Sequence, residues 1–312
     1  MRILRDTFEA SDFHHPVVTI GSYDGLHLGH QAIIKKVIKE AKEKGGESVV
    51  FTFEPHPVKV LHPHWDVPLI TPYSKKILLL KEMGVDTVIN YPFDQRLAKL
   101  SPEAFVEEVI YRRLRPLKVI VGYNFTFGRG KGGTAEDLRE MGAAMGFEVE
   151  VIPPFEVEGK PVSSSRIREL VRQGRIEEAN RLLGRDFIIM GEVVPGTGRG
   201  RKLGFPTANL RTEQELLPPK GVYAARAYVG SRGPHPAVVN IGTRPTFGEG
   251  DLVIEAFLPG FHGDLYGQEL RLGFLRRLRD ERPFSSPEAL KEQISRDVEE
   301  TLRLLQVKGE EQ

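Results

Sequence analysis

The sequence predicts an α/β domain built on a doubly wound parallel sheet, followed by a smaller, mainly β domain closed by one helix. Two observations carry this expectation. Up to Gly184, short apolar β-branched runs alternate with segments whose apolar residues fall three and four apart, as in a parallel sheet with helices on both faces. From Phe187 onward, apolar runs recur between glycine- and proline-rich turns with no long helix between them, as in an antiparallel barrel or sandwich. The junction falls at Gly184, giving domains 1–184 and 185–312.

The totals narrow the function. A chain of 312 residues, 40% hydrophobic and 28% charged, suits one large or two ordinary globular domains. A formal net charge of +1 leaves no basic excess for a nucleic-acid partner. No apolar run approaches the ~20 residues of a membrane helix, and the N-terminus lacks a signal peptide's apolar stretch. The absence of cysteine excludes disulfides and thiolate metal sites and fits a reducing compartment. The expectation is a cytoplasmic enzyme acting on small molecules, with no nucleic-acid or membrane partner. No pattern encodes an oligomeric state, and a monomer is assumed.

The Rossmann-like first domain is organised around Gly21 to His30, Gly-Ser-Tyr-Asp-Gly-Leu-His-Leu-Gly-His. It follows the buried-strand run Val17–Ile20 and leads into a helical period from Gln31. Free N–H groups and the dipole make a helix N-terminus receptive to anions. Glycines admit a ligand close to the backbone, and His27 and His30, three apart, add directed donors. Together these suit a nucleoside triphosphate. A satisfied core pair or half a metal site are the plainer readings of two histidines.

Strand Ser48–Phe53 ends in Glu54-Pro55-His56-Pro57, either a plain proline turn or, at a strand's C-terminal end, part of a pocket. A helix near Ser74–Glu82 and strand Val85–Asn90 follow, and Ser101-Pro102-Glu103 opens the next helix with a capping serine. After strand Leu117–Val121 comes Gly-Tyr-Asn-Phe-Thr-Phe-Gly, residues 122–128. Phe125 and Phe127 are rings able to stack on a planar ligand or to tuck inward, and Asn124 is a hydrogen-bonding group. Helix Thr134–Met145 and strand Phe147–Ile152 lead to Ser163-Ser164-Ser165-Arg166-Ile167-Arg168, ordinary caps or a phosphate clamp of hydroxyls and arginine.

In the second domain, strands are expected at Phe187–Val194, Gly221–Val229, Ala237–Ile241, Val253–Leu258 and Leu270–Phe274. Pro287–Leu305 reads as a helix capped by Ser285 or Ser286, its stripe Leu290, Ile294, Val298 and Leu302 packing on the barrel. The loop Gly196-Thr197-Gly198-Arg199-Gly200-Arg201-Lys202-Leu203-Gly204 offers backbone amides and charge to phosphates without being a Walker A loop. Pro206-Thr207-Ala208-Asn209 follows it, and Glu255 lies on a later strand, where a solvent-facing glutamate is the plainer reading.

Gly21–His30 resembles the signature of the class I nucleotidyltransferases, and in its longer form that of the bacterial bifunctional riboflavin kinase/FMN adenylyltransferase (FAD synthetase) family. The loops at 122–128 and 162–168 resemble that family's next motifs, with Ser165 in place of a threonine. Pro206–Asn209 resembles its riboflavin kinase motif, as do Asn240–Phe247, Asp264–Gly267 and Leu278–Arg282, while Pro259–His262 departs from the usual turn. The resemblance implies that the first domain takes ATP at Gly21, Asp24, His27, Gly29, His30, Asn124, Ser163, Ser164 and Arg168, with the two histidines at the triphosphate. Pro55, Pro57, Asn124, Phe125 and Phe127 would line its FMN site. The second domain would take ATP at Gly196, Gly198, Arg201, Lys202, Gly204, Thr207 and Asn209. There Thr207 and Asn209 would hold magnesium (Mg²⁺), and Glu255 would be the base that activates riboflavin. The products would be FMN and then FAD. A nucleotidyltransferase for another phosphate ester, a class I aminoacyl-tRNA synthetase and a flavin carrier without turnover are the competing readings.

Overall fold

The computed structural model describes residues 1–196, 198–230, 232–243 and 252–307, with the side chains at 199, 202 and 307 also left outside that description. Thr197, the Lys202 side chain and Arg244–Phe247 therefore lie outside the described residues. The chain forms two compact units, Met1–Ser164 and Ser165–Gln312.

In the first unit six parallel strands run in the order β1-β4-β3-β2-β5-β8: β1 Arg2–Leu4, β2 Val17–Ile20, β3 Ser48–Glu54, β4 Thr87–Pro92, β5 Lys118–Gly122 and β8 Glu148–Ile152. Two-residue strands form the ribbons β6 Thr126–Phe127 with β7 Gly133–Thr134, and β9 Glu156–Val157 with β10 Lys160–Pro161. Strand β3, Ser-Val-Val-Phe-Thr-Phe-Glu, is buried from Ser48 to Phe53 because both its faces are covered, so its apolar residues do not alternate with exposed polar ones. Phe51 and Phe53 pack into a core with Phe105, Val109 and Phe127, while Val50 packs oppositely with Ile34, Leu79 and Leu80.

The helices are α1 Leu28–Glu43, α2 Pro57–Leu61, α3 Tyr73–Glu82, α4 Pro102–Ala104, a π-helical stretch Phe105–Tyr111 continuing into α5 Arg112–Leu114, and α6 Ala135–Met145. Ser101 caps α4 as expected, its Oγ accepting from the Ala104 N–H at 3.2 Å. The chain leaves β2 toward β3 and β4 on one side and returns to β5 on the other. The switch point therefore lies between β2 and β5, where open α/β sheets bind ligands beyond the strands' carboxyl ends.

The second unit is a closed antiparallel barrel, β11-β12-β15-β14-β13-β16. Its strands are β11 Phe187–Val194, β12 Thr207–Arg211, β13 Gly221–Val229, β14 Arg232–Thr243, β15 Leu252–Phe257 and β16 Glu269–Arg279. Strand β12, unexpected from the sequence, completes the closure. The helices α7 Ser164–Arg172 and α8 Ile176–Leu183 precede it, α9 Arg199–Lys202 lies in the glycine-rich loop, and α10 Pro287–Val307 ends the fold. Helix α8 belongs with the barrel: Asn180 donates to the Phe274 carbonyl at 2.8 Å and accepts from the Phe187 N–H at 2.7 Å. The compact units thus meet twenty residues before Gly184.

Ser286 caps α10, accepting from the Ala289 N–H at 3.2 Å. The expected stripe is corrected at its end. Leu302 is 39% exposed, whereas Asp297 and Thr301 are buried. Asp297 is turned inward by Arg279, which reaches both its oxygens at 2.8–3.1 Å.

Candidate active sites

The first site begins where β2 ends. Gly21 to Leu26 fold back on themselves, with Gly25 at φ 89° and the non-glycine residues Tyr23 and Leu26 at φ 49° and 42°. Left-handed backbone at such residues costs ~1–3 kcal/mol each and is held by surrounding packing. Both side chains are buried, and the Tyr23 hydroxyl bonds Thr19 Oγ1 at 2.5 Å. Burial pushes the Tyr23 phenol well above its ordinary value, against the opposing pull of the Thr19 bond.

His27 caps α1, its Nδ1 accepting from the His30 N–H at 3.3 Å. In the neutral ring an accepting Nδ1 places the proton on Nε2, making that nitrogen the donor. The His27 and His30 rings stack at 3.6 Å, and Tyr23 meets His30 edge-on at 5.2 Å. His27 is only 6% exposed.

Asp24, expected at the nucleotide, is instead a brace. Its buried carboxylate accepts the Ile70 and Thr71 N–H groups at 3.2 and 2.9 Å, and Thr71 Oγ1 accepts from Gly25 N at 2.9 Å. Ser164 does join the loop: its Oγ donates to the Asp24 carbonyl at 2.8 Å. Ser163 is half-buried beside it, and Arg168 lies one turn further on the same face of α7.

The remaining expected residues divide. Asn124 is exposed at the end of β5, its Oδ1 near Gly122. Pro55 is exposed and Pro57 half-buried, with His56 capping α2. Phe127 is corrected: its ring packs against Phe105 in the core and has no face for a flavin, while Phe125 is half-buried against it at 5.5 Å.

Nothing in the local sequence pattern points to Lys76. Helical spacing assigns two adjacent lysines on α3 no inward direction, yet both are buried. Lys76 Nζ donates to Thr52 Oγ1 at 3.3 Å, and Thr52 in turn to the Ser22 carbonyl at 3.3 Å. Burial holds the Lys76 amine below the usual lysine range, an effect that Glu54 and Asp24 partly offset.

The second site lies on the barrel wall. Asn209 on β12 stands opposite Glu255 on β15, which stands opposite Asn240 on β14. Facing residues of antiparallel strands project to one side. The flanking Ile254 and Ala256 are buried, so this polar row takes the other face. Thr207, two residues before Asn209, shares that face. Asn209 presses on the glycine-rich loop: a Cβ on Gly196 would fall 2.0 Å from its Nδ2. Gly198 and Gly204 take left-handed φ of 70° and 89°, and Arg201 is exposed. Glu281 flanks the row, accepting from Asn240 Nδ2 at 3.2 Å; the sequence marks it only as part of a motif.

Thr207, Asn209 and Glu255 present oxygen donors of the kind Mg²⁺ prefers. No cluster of three or more His, Asp or Glu side chains suited to a metal occurs among the described residues. A separate cavity of about 650 Å³ between β16 and α10 contains none of these residues. Its Arg276, Arg277 and Arg279 are matched by Glu177, Asp280 and Asp297.

Comparison with known proteins finds matches to both halves of the chain. The FAD synthetase profile matches residues 9–166 and the riboflavin kinase profile residues 183–305. Bifunctional riboflavin kinase/FMN adenylyltransferases of Listeria monocytogenes and Bacillus subtilis are 34% and 36% identical, each over 92% of this chain and over 95% and 92% of their own lengths. That of Escherichia coli is 35% identical over 90% of both. A solved structure described as a macrolide-efflux protein from Streptococcus pneumoniae superposes with a TM-score of 0.86 at 30% identity, covering 96% of this chain and 99% of that one. No helix among the described residues is long and apolar enough to cross a membrane. With both profiles in order along one chain and relatives matched over nearly their full length, the protein belongs to the bifunctional riboflavin kinase/FMN adenylyltransferase family.

Proposed function

We propose that the two activities divide between modules 1–184 and 185–312, and that the residues described above carry them. The observation that supports this most is the register of the barrel, which sets Asn209, Glu255 and Asn240 in one row beside a glycine-rich loop.

In the kinase module, Glu255 accepts the proton of the riboflavin 5′-hydroxyl as that oxygen attacks the γ-phosphorus of ATP. The bond from the γ-phosphorus to the β–γ bridging oxygen breaks, and FMN and ADP result. Gly196, Gly198, Arg201, Lys202 and Gly204 form the phosphate-binding loop. Thr207 and Asn209 would hold Mg²⁺, which supplies charge neutralisation to the phosphates when bound.

In the adenylyltransferase module, an FMN phosphate oxygen attacks the α-phosphorus of a second ATP, and pyrophosphate leaves as FAD forms. His27, through its Nε2 proton, and His30 stabilise charge on the triphosphate at the N-terminus of α1. Ser163, Ser164 and Arg168 hold the leaving phosphates, Gly21 and Gly29 let them approach the backbone, and Asp24 fixes the loop. Asn124, Pro55, Pro57 and Phe125 border the flavin. No step calls for a covalent enzyme intermediate. Positioning and charge stabilisation suffice. The substrates are small molecules of the cytoplasm, the compartment proposed for the enzyme.

Incubation with riboflavin, ATP and Mg²⁺, followed by chromatography, tests the reading. FMN should appear first and FAD after it. Absence of either product overturns the corresponding module's assignment.

A further inference from the structure

We infer that Lys76 is a positioning residue for adenylyl transfer, one that sets the strained loop Gly21–Leu26 and through it the His30 ring. The inference deepens the proposed first site and rests on that reading.

Packing does not account for an amine at this point of α3. Lys76 is 3% exposed, and Leu79 and Leu80, three and four residues on, are buried on the same side of the helix. An apolar side chain would fill the position without the cost of desolvating an ammonium. What the amine adds therefore lies in its bonds and its charge.

The bonds run to the loop. Thr52 is the first residue of β3 beyond its pairing with β2, which ends with Ile20 opposite Phe51. There β3 holds the loop twice. The Phe51 carbonyl accepts from the Gly21 N–H at 3.0 Å, and Thr52 Oγ1 donates to the Ser22 carbonyl at 3.3 Å. A hydroxyl has one proton to give, whereas an ammonium has three and accepts nothing. Lys76 Nζ donates to Thr52 Oγ1 at 3.3 Å and so leaves the hydroxyl's own proton for Ser22.

The Ser22 carbonyl and the Tyr23 N–H belong to one planar peptide. Holding that plane holds the left-handed turn at Tyr23, φ 49°, a backbone state that depends on its surroundings. Tyr23 in turn meets His30 edge-on at 5.2 Å, with its hydroxyl tied to Thr19. Glu54 at the end of β3 and Asp24 in the loop are the carboxylates that attract the Lys76 ammonium. Lys75 reaches the loop by a separate chain: its Nζ donates to the Ile70 carbonyl at 3.4 Å, and the Ile70 N–H donates to Asp24.

The test is steady-state kinetics of the full chain, reading FAD from FMN and, as an internal control, FMN from riboflavin. Lys76→Met keeps the length and removes donor and charge. It should lower kcat for FAD formation about tenfold or more, as misplaced reacting groups do. KM for ATP should stay within a few fold, because the amine acts on geometry and touches no substrate. Thr52→Val should act in the same direction. The double variant should lose no more than the worse single one, since both changes break one chain. FMN formation should be unchanged throughout.

A wild-type kcat in Lys76→Met overturns the inference. So do losses that multiply in the double variant, and so does an equal loss of FMN formation, which marks general unfolding. If Lys76→Met does not fold, Thr52→Val decides: a normal kcat overturns the chain, and a lowered kcat with KM preserved sustains it. If the wild-type protein makes no FAD, the first-site reading itself fails. A wild type that makes FAD, beside variants with normal kcat, sinks only the role of Lys76.

Discussion

Asn209 and Glu255 face one another across β12 and β15, which places an amide and a carboxylate side by side outside the barrel core. Replacing the carboxylate isolates its chemistry from its size. Glu255→Gln should lower riboflavin phosphorylation by about 10²–10⁴-fold, the usual worth of a general base. FAD formation from supplied FMN should persist. Chromatographic rates of FMN production from riboflavin and of FAD production from FMN check the two in turn.

The amide of Asn209 depends on a glycine. A methyl group at position 196 would stand 2.0 Å from Asn209 Nδ2, so Gly196→Ala must displace the side chain or the loop. Kinase activity should fall at least tenfold with little change in melting temperature. Normal kinase turnover in this variant would show that Asn209 is dispensable.

The stacked histidines give the converse experiment. His27→Ala combined with His30→Ala should abolish FAD formation while FMN formation survives. His27→Ala also removes the acceptor for the His30 N–H, costing about 1 kcal/mol of stability. Loss of both products from a folded variant would mean that the two sites are not separate.

Tyr223 supplies a prediction in pH. Burial pushes its phenol up to about 12, against the opposing influence of Arg277, and its hydroxyl donates to the Pro219 carbonyl at 2.5 Å. The unfolded phenol ionises near 10. The folded pKa is the higher one, so this contribution is complete below pH 10 and is lost as pH rises toward 12. Chemical denaturation of wild type and Tyr223→Phe should show the wild type losing about 1–2 kcal/mol relative to the variant over that interval. Parallel curves would refute it.

Asp297 tests the barrel's closing helix. Its carboxylate is buried and held by Arg279, so Asp297→Ala leaves a guanidinium without its partner. Removal of one member of a buried pair costs about 3–5 kcal/mol. A melting temperature lower by ten degrees or more is expected in calorimetry.

Most of this was readable where the signal was local. The strand, turn and helix at Val17–Glu43 follow from apolar spacing and the glycine-bearing turn, and Ser101 declares its cap in three residues. Direction inside loops was not readable. Phe127 turns inward because Phe105 waits in the core, a contact twenty-two residues away in sequence. Lys76 and Asp24 look like surface charges in any local window, and only the tertiary fold buries them. Strand β12 is short and alternates polar and apolar residues, so its motif hid its geometry. Leu302 fits a helical stripe perfectly well, but Arg279 turns the helix so that Asp297 faces in.

The two units end their sheets differently, and this bears on how the protein fails. Among the described residues every barrel strand is paired on both sides, leaving no row of open amides there for another chain to join. The parallel sheet stops at β1, only three residues long, and at β8, where Glu148 and Glu150 alternate with apolar residues. Lys118 from the adjoining strand pairs with Glu150 at 2.5 Å. Weakening those ion pairs with high salt, or protonating the carboxylates in acid, strips the β8 margin of the fixed charges that guard it against docking on another. Precipitation on storage should therefore start at this border of the first unit, and acidic, salt-rich buffers should hasten it.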